Sequence, residues 1–207
     1  VNSPHDDGIC LKSSFGLGEA RATENVTITN CQVSGWECGS LLDGTYRKGN
    51  GPGTGRIKFG TESNGGFKNI AISNCIFNYC CGFALETVDG GFLEDVTITN
   101  IAMRDIANSP IFLRLGARLR GPEGTKPGEL HRVNISNIEC WNASGTSIIS
   151  GIPGHNIEDV RISNIRVHTL GGGTNEQATT KPAENEARYP EPTMFGQMPA
   201  YGFYIRH

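Results

Sequence analysis

The chain predicts an all-β fold, one parallel β-helix, and three observations predict it. Five segments share one pattern: Asn25-Val-Thr-Ile-Thr-Asn30, Asn69-Ile-Ala-Ile-Ser-Asn74, Asp95-Val-Thr-Ile-Thr-Asn100, Arg132-Val-Asn-Ile-Ser-Asn137 and Asp159-Val-Arg-Ile-Ser-Asn164. Their last residues lie 44, 26, 37 and 27 positions apart. Subtracting insertions from the first and third gaps leaves a period of roughly 25. A second strand register sits between the copies: Gly8-Ile-Cys-Leu-Lys12, Gly55-Arg-Ile-Lys-Phe59, Gly82-Phe-Ala-Leu-Glu86, Pro110-Ile-Phe-Leu-Arg114 and Thr146-Ser-Ile-Ile-Ser150. Glycine, finally, supplies 28 of 207 residues with no triplet period, which excludes collagen and punctuates the strands.

Each copy alternates apolar and polar residues, the strand period of two, and ends in Asn before a turn. One short strand cannot bury its apolar side alone, so the copies must stack. A leucine-rich repeat would need a Leu consensus and a helical arm, and a β-sandwich would not repeat one motif five times. Asn tolerates the left-handed backbone a corner needs, and its amide can bond to the Asn of the neighbouring repeats. The residues after each Asn (Cys31, Cys75, Ile101, Ile138, Ile165) then form a buried column in which Cys acts as a small hydrophobe. Two stretches break the period, at about 36–52 and 171–199; between the second and the chain end, Ala200-Tyr-Gly-Phe-Tyr-Ile-Arg206 resumes a strand pattern. Long excursions on a repeat fold tend to wall a binding face. Their aromatics, Trp36, Tyr46, Tyr189 and Phe195, either stack on sugar rings or pin the loops to the strands.

Composition narrows the partners. A hydrophobic content of 37% with nine Phe argues against disorder, and a net charge of −3 leaves no domain-wide footprint for nucleic acid. No apolar run reaches membrane-span length. Seven Cys cannot all pair within the chain, and none stands in a double Cys-x-x-Cys zinc arrangement; no metal and no cofactor are expected. The sequence opens at Val1 and stops in mid-pattern, so residues 1–207 read as one domain fragment without end caps. Alone it is expected to be poorly soluble and inactive, because its end repeats expose apolar sections and unpaired edges. Asn25, Asn134 and Asn142 match the glycosylation pattern, but the first two lie inside the repeat.

The chemistry-bearing residues gather in the second register. Asp6-Asp7 is either a strand-entry turn or a catalytic pair. Equivalent positions of neighbouring strands stand about 4.8 Å apart, which is expected to bring Asp6, Asp7, Lys12, Lys58, Glu62, Glu86 and Arg114 near one another. Such a strip can hold a glycosidic bond between an acid and an activated water, or it is a solvated salt-bridged face. His5 abuts the acidic pair and can tune it; His131, His155 and His168 receive no role.

Ser3-Pro-His-Asp-Asp-Gly-Ile-Cys-Leu-Lys-Ser-Ser14, Glu24-Asn-Val-Thr-Ile-Thr-Asn-Cys31 and Phe59-Gly-Thr-Glu-Ser-Asn-Gly-Gly66 resemble glycoside hydrolase family 28. This polygalacturonase-like family cuts pectic polysaccharides on a right-handed parallel β-helix. The resemblance runs from Asp6 to at least Asn164, and Tyr189-Pro-Glu-Pro with the final strand is similar to a bacterial branch. It implies Asp6 as general acid and Asp7 as one of two carboxylates activating water, the other belonging to an Asn-Thr-Asp motif that would precede Val1. It implies inversion, with acid and base roughly 6.5–9.5 Å apart, and a secreted or periplasmic location. Acid work asks Asp6 to keep its proton, which a neighbouring carboxylate favours.

The sequence departs from the family at two motifs. Its Gly-His-Gly falls at Gly53-Thr54-Gly55, without the histidine, and its Arg-Ile-Lys falls near Ala84-Leu85-Glu86, without either cation. Glu86 would repel a galacturonate carboxylate, so a neutral sugar beside the cleavage point fits better. Arg56, Arg114 and Arg118 supply either a relocated anion clamp or salt bridges. Two rivals stay open: a polysaccharide lyase with Lys12 or Lys58 as base, and a non-catalytic carbohydrate-binding β-helix in which the lost cations mark decayed chemistry.

Overall fold

The computed structural model describes residues 1–38 and 44–207. Its strands are β1 (Ile9–Ser13), β2 (Thr23–Thr29), β3 (Gln32–Ser34), β4 (Glu37–Cys38), β5 (Tyr46–Arg47), β6 (Ile57–Ser63), β7 (Phe67–Cys80), β8 (Phe83–Thr87), β9 (Phe92–Ile106), β10 (Ile111–Leu115), β11 (Glu129–Ala143), β12 (Ser147–Ser150), β13 (Ile157–Thr169) and β14 (Phe203–Arg206). The fold is mostly β, with 51% of residues in strands. One parallel sheet runs β1-β6-β8-β10-β12-β14; the other runs β13-β11-β9-β7-β2, with β3 also paired to β7. From β6 to β14, successive strands therefore alternate between the two sheets. Among the described residues no helix is long and apolar enough to cross a membrane.

The long strands bend at left-handed residues every fifth position: Asn69, Asn74 and Tyr79 in β7, Asp95, Asn100 and Asp105 in β9, and Arg132, Asn137 and Asn142 in β11. Asn and Asp accept this backbone at low cost because their short polar side chains bond locally. The expected amide ladder forms in part. Asn100 Nδ2 donates to Asn74 Oδ1 at 3.3 Å and Asn164 to Asn137 at 2.6 Å, whereas Asn137 turns to Thr99 Oγ1 at 3.2 Å. A second ladder starts at the front of the motif, where Asn69 donates to Asn25 Oδ1 at 2.7 Å.

Between the corners, like residues stack in register. Ile28, Ile72, Ile98, Ile135 and Ile162 align through five strands. In the column after each Asn, Cys75, Ile101 and Ile138 are buried, whereas Cys31 and Ile165 on the outer strands are half-buried. Two ring pairs tie the sheets across the core: Phe59 with Phe67 at 5.4 Å, and Phe77 with Phe83 at 4.7 Å. Phe83→Ala is expected to cost about 3–5 kcal/mol, measured by urea denaturation at unchanged m-value; a loss below 1 kcal/mol would contradict a close-packed core at this position.

All five positions of β8 and of β10 are buried, Glu86, Thr87 and Arg114 included, so the first sheet is covered on both faces there. The second cover comes from the 171–199 excursion. It contains a short helix α1 (Asn175–Ala178) and a 3₁₀ turn (Pro192–Phe195) but no strand. Phe195 packs outside the sheet on Ala84, Phe112 and Ile148. The first excursion pairs β4 with β5 as an antiparallel hairpin; residues 39–43, with Leu41, Leu42 and Asp43 of this loop, lie outside the described residues. Trp36 stacks on Tyr79 at 4.4 Å, so Trp36 and Phe195 pin their loops, while Tyr46 is exposed.

Candidate active site

Asp6 and Asp7 enter the fold just ahead of β1. The backbone there is held by three bonds to the next repeat: Gly55 N to Asp6 O at 3.0 Å, Gly8 N to Arg56 O at 3.0 Å, and Thr54 Oγ1 to Ser3 O at 3.0 Å. Glycines flank Thr54 for a steric reason. A Cβ at Gly53 would lie 2.2 Å from Tyr79 O, and one at Gly55 (φ +38) 2.5 Å from Ser34 O. The Gly-x-Gly spacing is thus demanded by packing, and Thr54 spends its hydroxyl on the backbone.

The two aspartates line one cavity of about 280 Å³ together with His5, Gly53, Thr54, Arg56, Cys81, Asn108, Glu191 and Thr193. Asp6 is exposed, and its Oδ1 accepts from the Asp7 amide at 2.7 Å. Asp7 is tied down: Arg56 Nε donates to Oδ1 at 2.5 Å and Lys58 Nζ stands 3.8 Å from Oδ2. Arg56 also grips Glu191 with both terminal nitrogens, at 3.0 and 2.8 Å, a fork that fits a carboxylate. Asn108 Nδ2 adds a third bond to Glu191 at 2.6 Å. Burial opposes the charge on Arg56, but Glu191 and Asp7 outweigh it and raise its pKa.

Behind Asp7 lies a second tier. Lys58 is 1% exposed and stands 3.6 Å from Glu86 Oε2 and 3.2 Å from the Tyr189 hydroxyl, which also accepts from Thr61 Oγ1 at 3.1 Å. Burial would lower the Lys58 pKa, yet Glu86 and Asp7 raise it. Glu86 is fully buried, and neither carboxylate oxygen has a hydrogen-bond partner. Burial pushes its pKa from 4.5 up to about 8, against the pull of Lys58 and Arg56. The folded state thus holds this proton more tightly than the unfolded chain. Its stabilising contribution is complete below about pH 4.5 and is lost as pH rises through about 8. The melting temperature is accordingly expected to fall between pH 5 and 8, and Glu86→Gln to remove most of that slope. Equal slopes in both proteins would contradict the assignment.

The strip expected from the second register divides into three groups. Asp7, Arg56, Lys58 and Glu86 come together, with Asp6 on the open side. Lys12 and Glu62 pair only with each other, 2.7 Å apart at the surface, because a register shift between Leu11 and Ser13 turns Lys12 out of line. Arg114 aligns with Glu86 across β8 and β10, but its guanidinium points the other way. It bonds Ser150 Oγ and Gly151 O at 2.9 Å and Glu184 O and Asn185 O at 3.1 and 3.2 Å. Glu86 and Arg114 are therefore covered by the excursion rather than offered to a ligand. Arg118 is paired with Asp89. His5 lines the cavity but faces Glu37, 3.7 Å away, rather than the aspartates.

Sequence reasoning did not select Glu191 or Asn108. Glu191 lies in Tyr189-Pro-Glu-Pro, a segment the sequence marks as similar to a bacterial branch but to which it gives no role. Among the described residues no group of three or more His, Cys, Asp or Glu side chains is arranged to hold a metal ion. Comparison of the chain with models of protein families, with curated proteins and with solved structures gave no match.

Proposed function

We propose that the chain belongs to a right-handed parallel β-helix glycoside hydrolase, pectin-active and inverting, that cleaves a galacturonan- or rhamnogalacturonan-type linkage. Strands alternating between two parallel sheets, with corners at a regular spacing, support the helix. The observation that carries the activity is the meeting of Asp6, Asp7 and Glu191 on one cavity. Asp6, open to that cavity, donates its proton to the glycosidic oxygen as the bond to the anomeric carbon breaks. Asp7, held in place by Arg56 and facing Lys58, orients the water whose oxygen takes the leaving group's place on the anomeric carbon, and takes up the water's proton with a partner carboxylate. A secreted or periplasmic protein acting on plant cell-wall glycans goes with this reading.

Charge refines the substrate. The cavity carries three carboxylates against one guanidinium, and Arg56 already spends its donors on Asp7 and Glu191. A uronate placed there meets repulsion and no free donor fork, so the sugar at the cavity is uncharged. Oligosaccharides ending in a neutral sugar are expected to bind at least about 10-fold more tightly than galacturonate-ended ones, about 1.4 kcal/mol, by calorimetry at low salt. Equal or reversed affinities would overturn this choice.

The lyase alternative requires a neutral amine. Lys58 is favoured in its protonated form by Asp7 and by its hydrogen bond with Tyr189, and Lys12 by its hydrogen bond with Glu62, which favours hydrolysis. The binding-only alternative has one observation in its favour, that Arg56 neutralises two of the three carboxylates; binding without turnover would support it.

A further inference from the structure

We infer that the cavity at Asp6 and Asp7 receives the end of a glycan chain, so that the enzyme removes terminal residues instead of cutting within the polymer. This rests on the hydrolase reading above. The argument starts from the strap formed by residues 182–198, which crosses the outer face of the first sheet from β14 back to β6.

At its start, Arg206 donates to Pro182 O and Ala183 O at 2.8 and 2.7 Å, and Arg114 donates to Glu184 O and Asn185 O. Near its end, after the site, Phe195 turns back to seal Ala84, Phe112 and Ile148, one residue each from β8, β10 and β12. At the site itself, Tyr189 meets Lys58 and Thr61 of β6, while Glu191 locks onto Arg56 and Asn108. The strap is thus fastened by apolar burial and by a two-pronged ion pair, and it occupies the surface a polymer would need to follow past the aspartates toward β8–β14.

The opposite direction is open. A second depression of about 410 Å³ shares His5, Pro52 and Thr54 with the site and continues past Gly35, Glu37 and Gly49–Gly51. The site cavity, at about 280 Å³, lies just below the roughly 300–1,000 Å³ usual for drug-sized ligands. A single terminal ring in the smaller cavity, bounded on one side by the Glu191 end of the strap, with the rest of the chain leaving along the second depression, satisfies both volumes. The scissile bond then falls at their junction, beside Asp6.

The test follows the products from a long pectic polymer and, separately, the binding stoichiometry, both with the protein in its longest native form. Single residues released while mean chain length falls slowly, with protein bound in proportion to the number of chain ends, is the expected result. A rapid fall in chain length with a spread of oligomers, or binding that scales with polymer mass, would overturn chain-end action and leave the hydrolase reading standing. Absence of any product with binding still counted by chain ends would sink the hydrolase reading alone and retain the end-binding cavity.

Discussion

Asp6→Asn is expected to slow hydrolysis by about 10²–10⁴-fold, the range that a positioned general acid contributes, while the melting temperature stays within experimental error. The separation of the two effects follows from geometry. Asp6 is exposed, and its one hydrogen bond accepts from the Asp7 amide, a bond the Asn carbonyl can reproduce. What the amide cannot do is hand a proton to the leaving oxygen. Substrates with a good leaving group need that proton less, so an activated aryl glycoside should recover much of the lost rate in the variant. A variant that loses activity equally on activated and natural substrates would indicate a binding role for Asp6.

The second large effect is on stability. Arg56→Ala is expected to destabilise the fold by about 3–5 kcal/mol, because removing one partner of a buried pair strands the other charges. Arg56 has a side chain only 12% exposed, and the charges it would leave behind are Asp7 at 15% and Glu191 at 26%. Arg56→Lys should recover little of the loss, since an ammonium's donors all sit on one nitrogen and cannot reproduce the planar fork that grips Glu191 while Nε reaches Asp7. Denaturation in urea measures the cost, and limited proteolysis locates it: cleavage should appear first in 182–198, the strap that Glu191 fastens. A loss under 1 kcal/mol, the size of an exposed pair, would contradict the picture of a locked strap.

The parts of this structure that could be read from the sequence are those governed by periodicity. The second register located β8 and β10 to within one residue, because alternation and bounding Gly or Pro mark a strand wherever it pairs. The Asn that ends each motif copy was legible as a left-handed corner. The corners at Tyr79 and Arg132 were not, since these residues carry no intrinsic preference for that backbone and adopt it because the neighbouring repeats impose it. Arg132 is held there by Glu94 and Asp95, both at 2.6 Å.

The site divides along the same line. Asp6, Asp7, Arg56 and Lys58 sit on or beside strands whose register the repeat dictates. Glu191 and Tyr189 arrive from an aperiodic stretch, so their positions depend on long-range packing of Phe195 and on the pairing itself. That packing also explains why Glu86 and Arg114 looked like groups for a ligand: they alternate outward from the core as surface residues do, but the strap covers that face. Burial on the outside of a sheet leaves no mark in the strand's own sequence.

Incubation in oxygen-18 water of the wild-type protein and Asp6→Asn with neutral-sugar-ended pectic oligosaccharides, read by mass spectrometry, tests the central claim most directly. The account predicts one labelled oxygen on the newly formed reducing end in the wild type and its disappearance in the variant. Unsaturated, unlabelled products would contradict it in favour of elimination, and label incorporated at the same rate by both proteins would remove Asp6 from the chemistry.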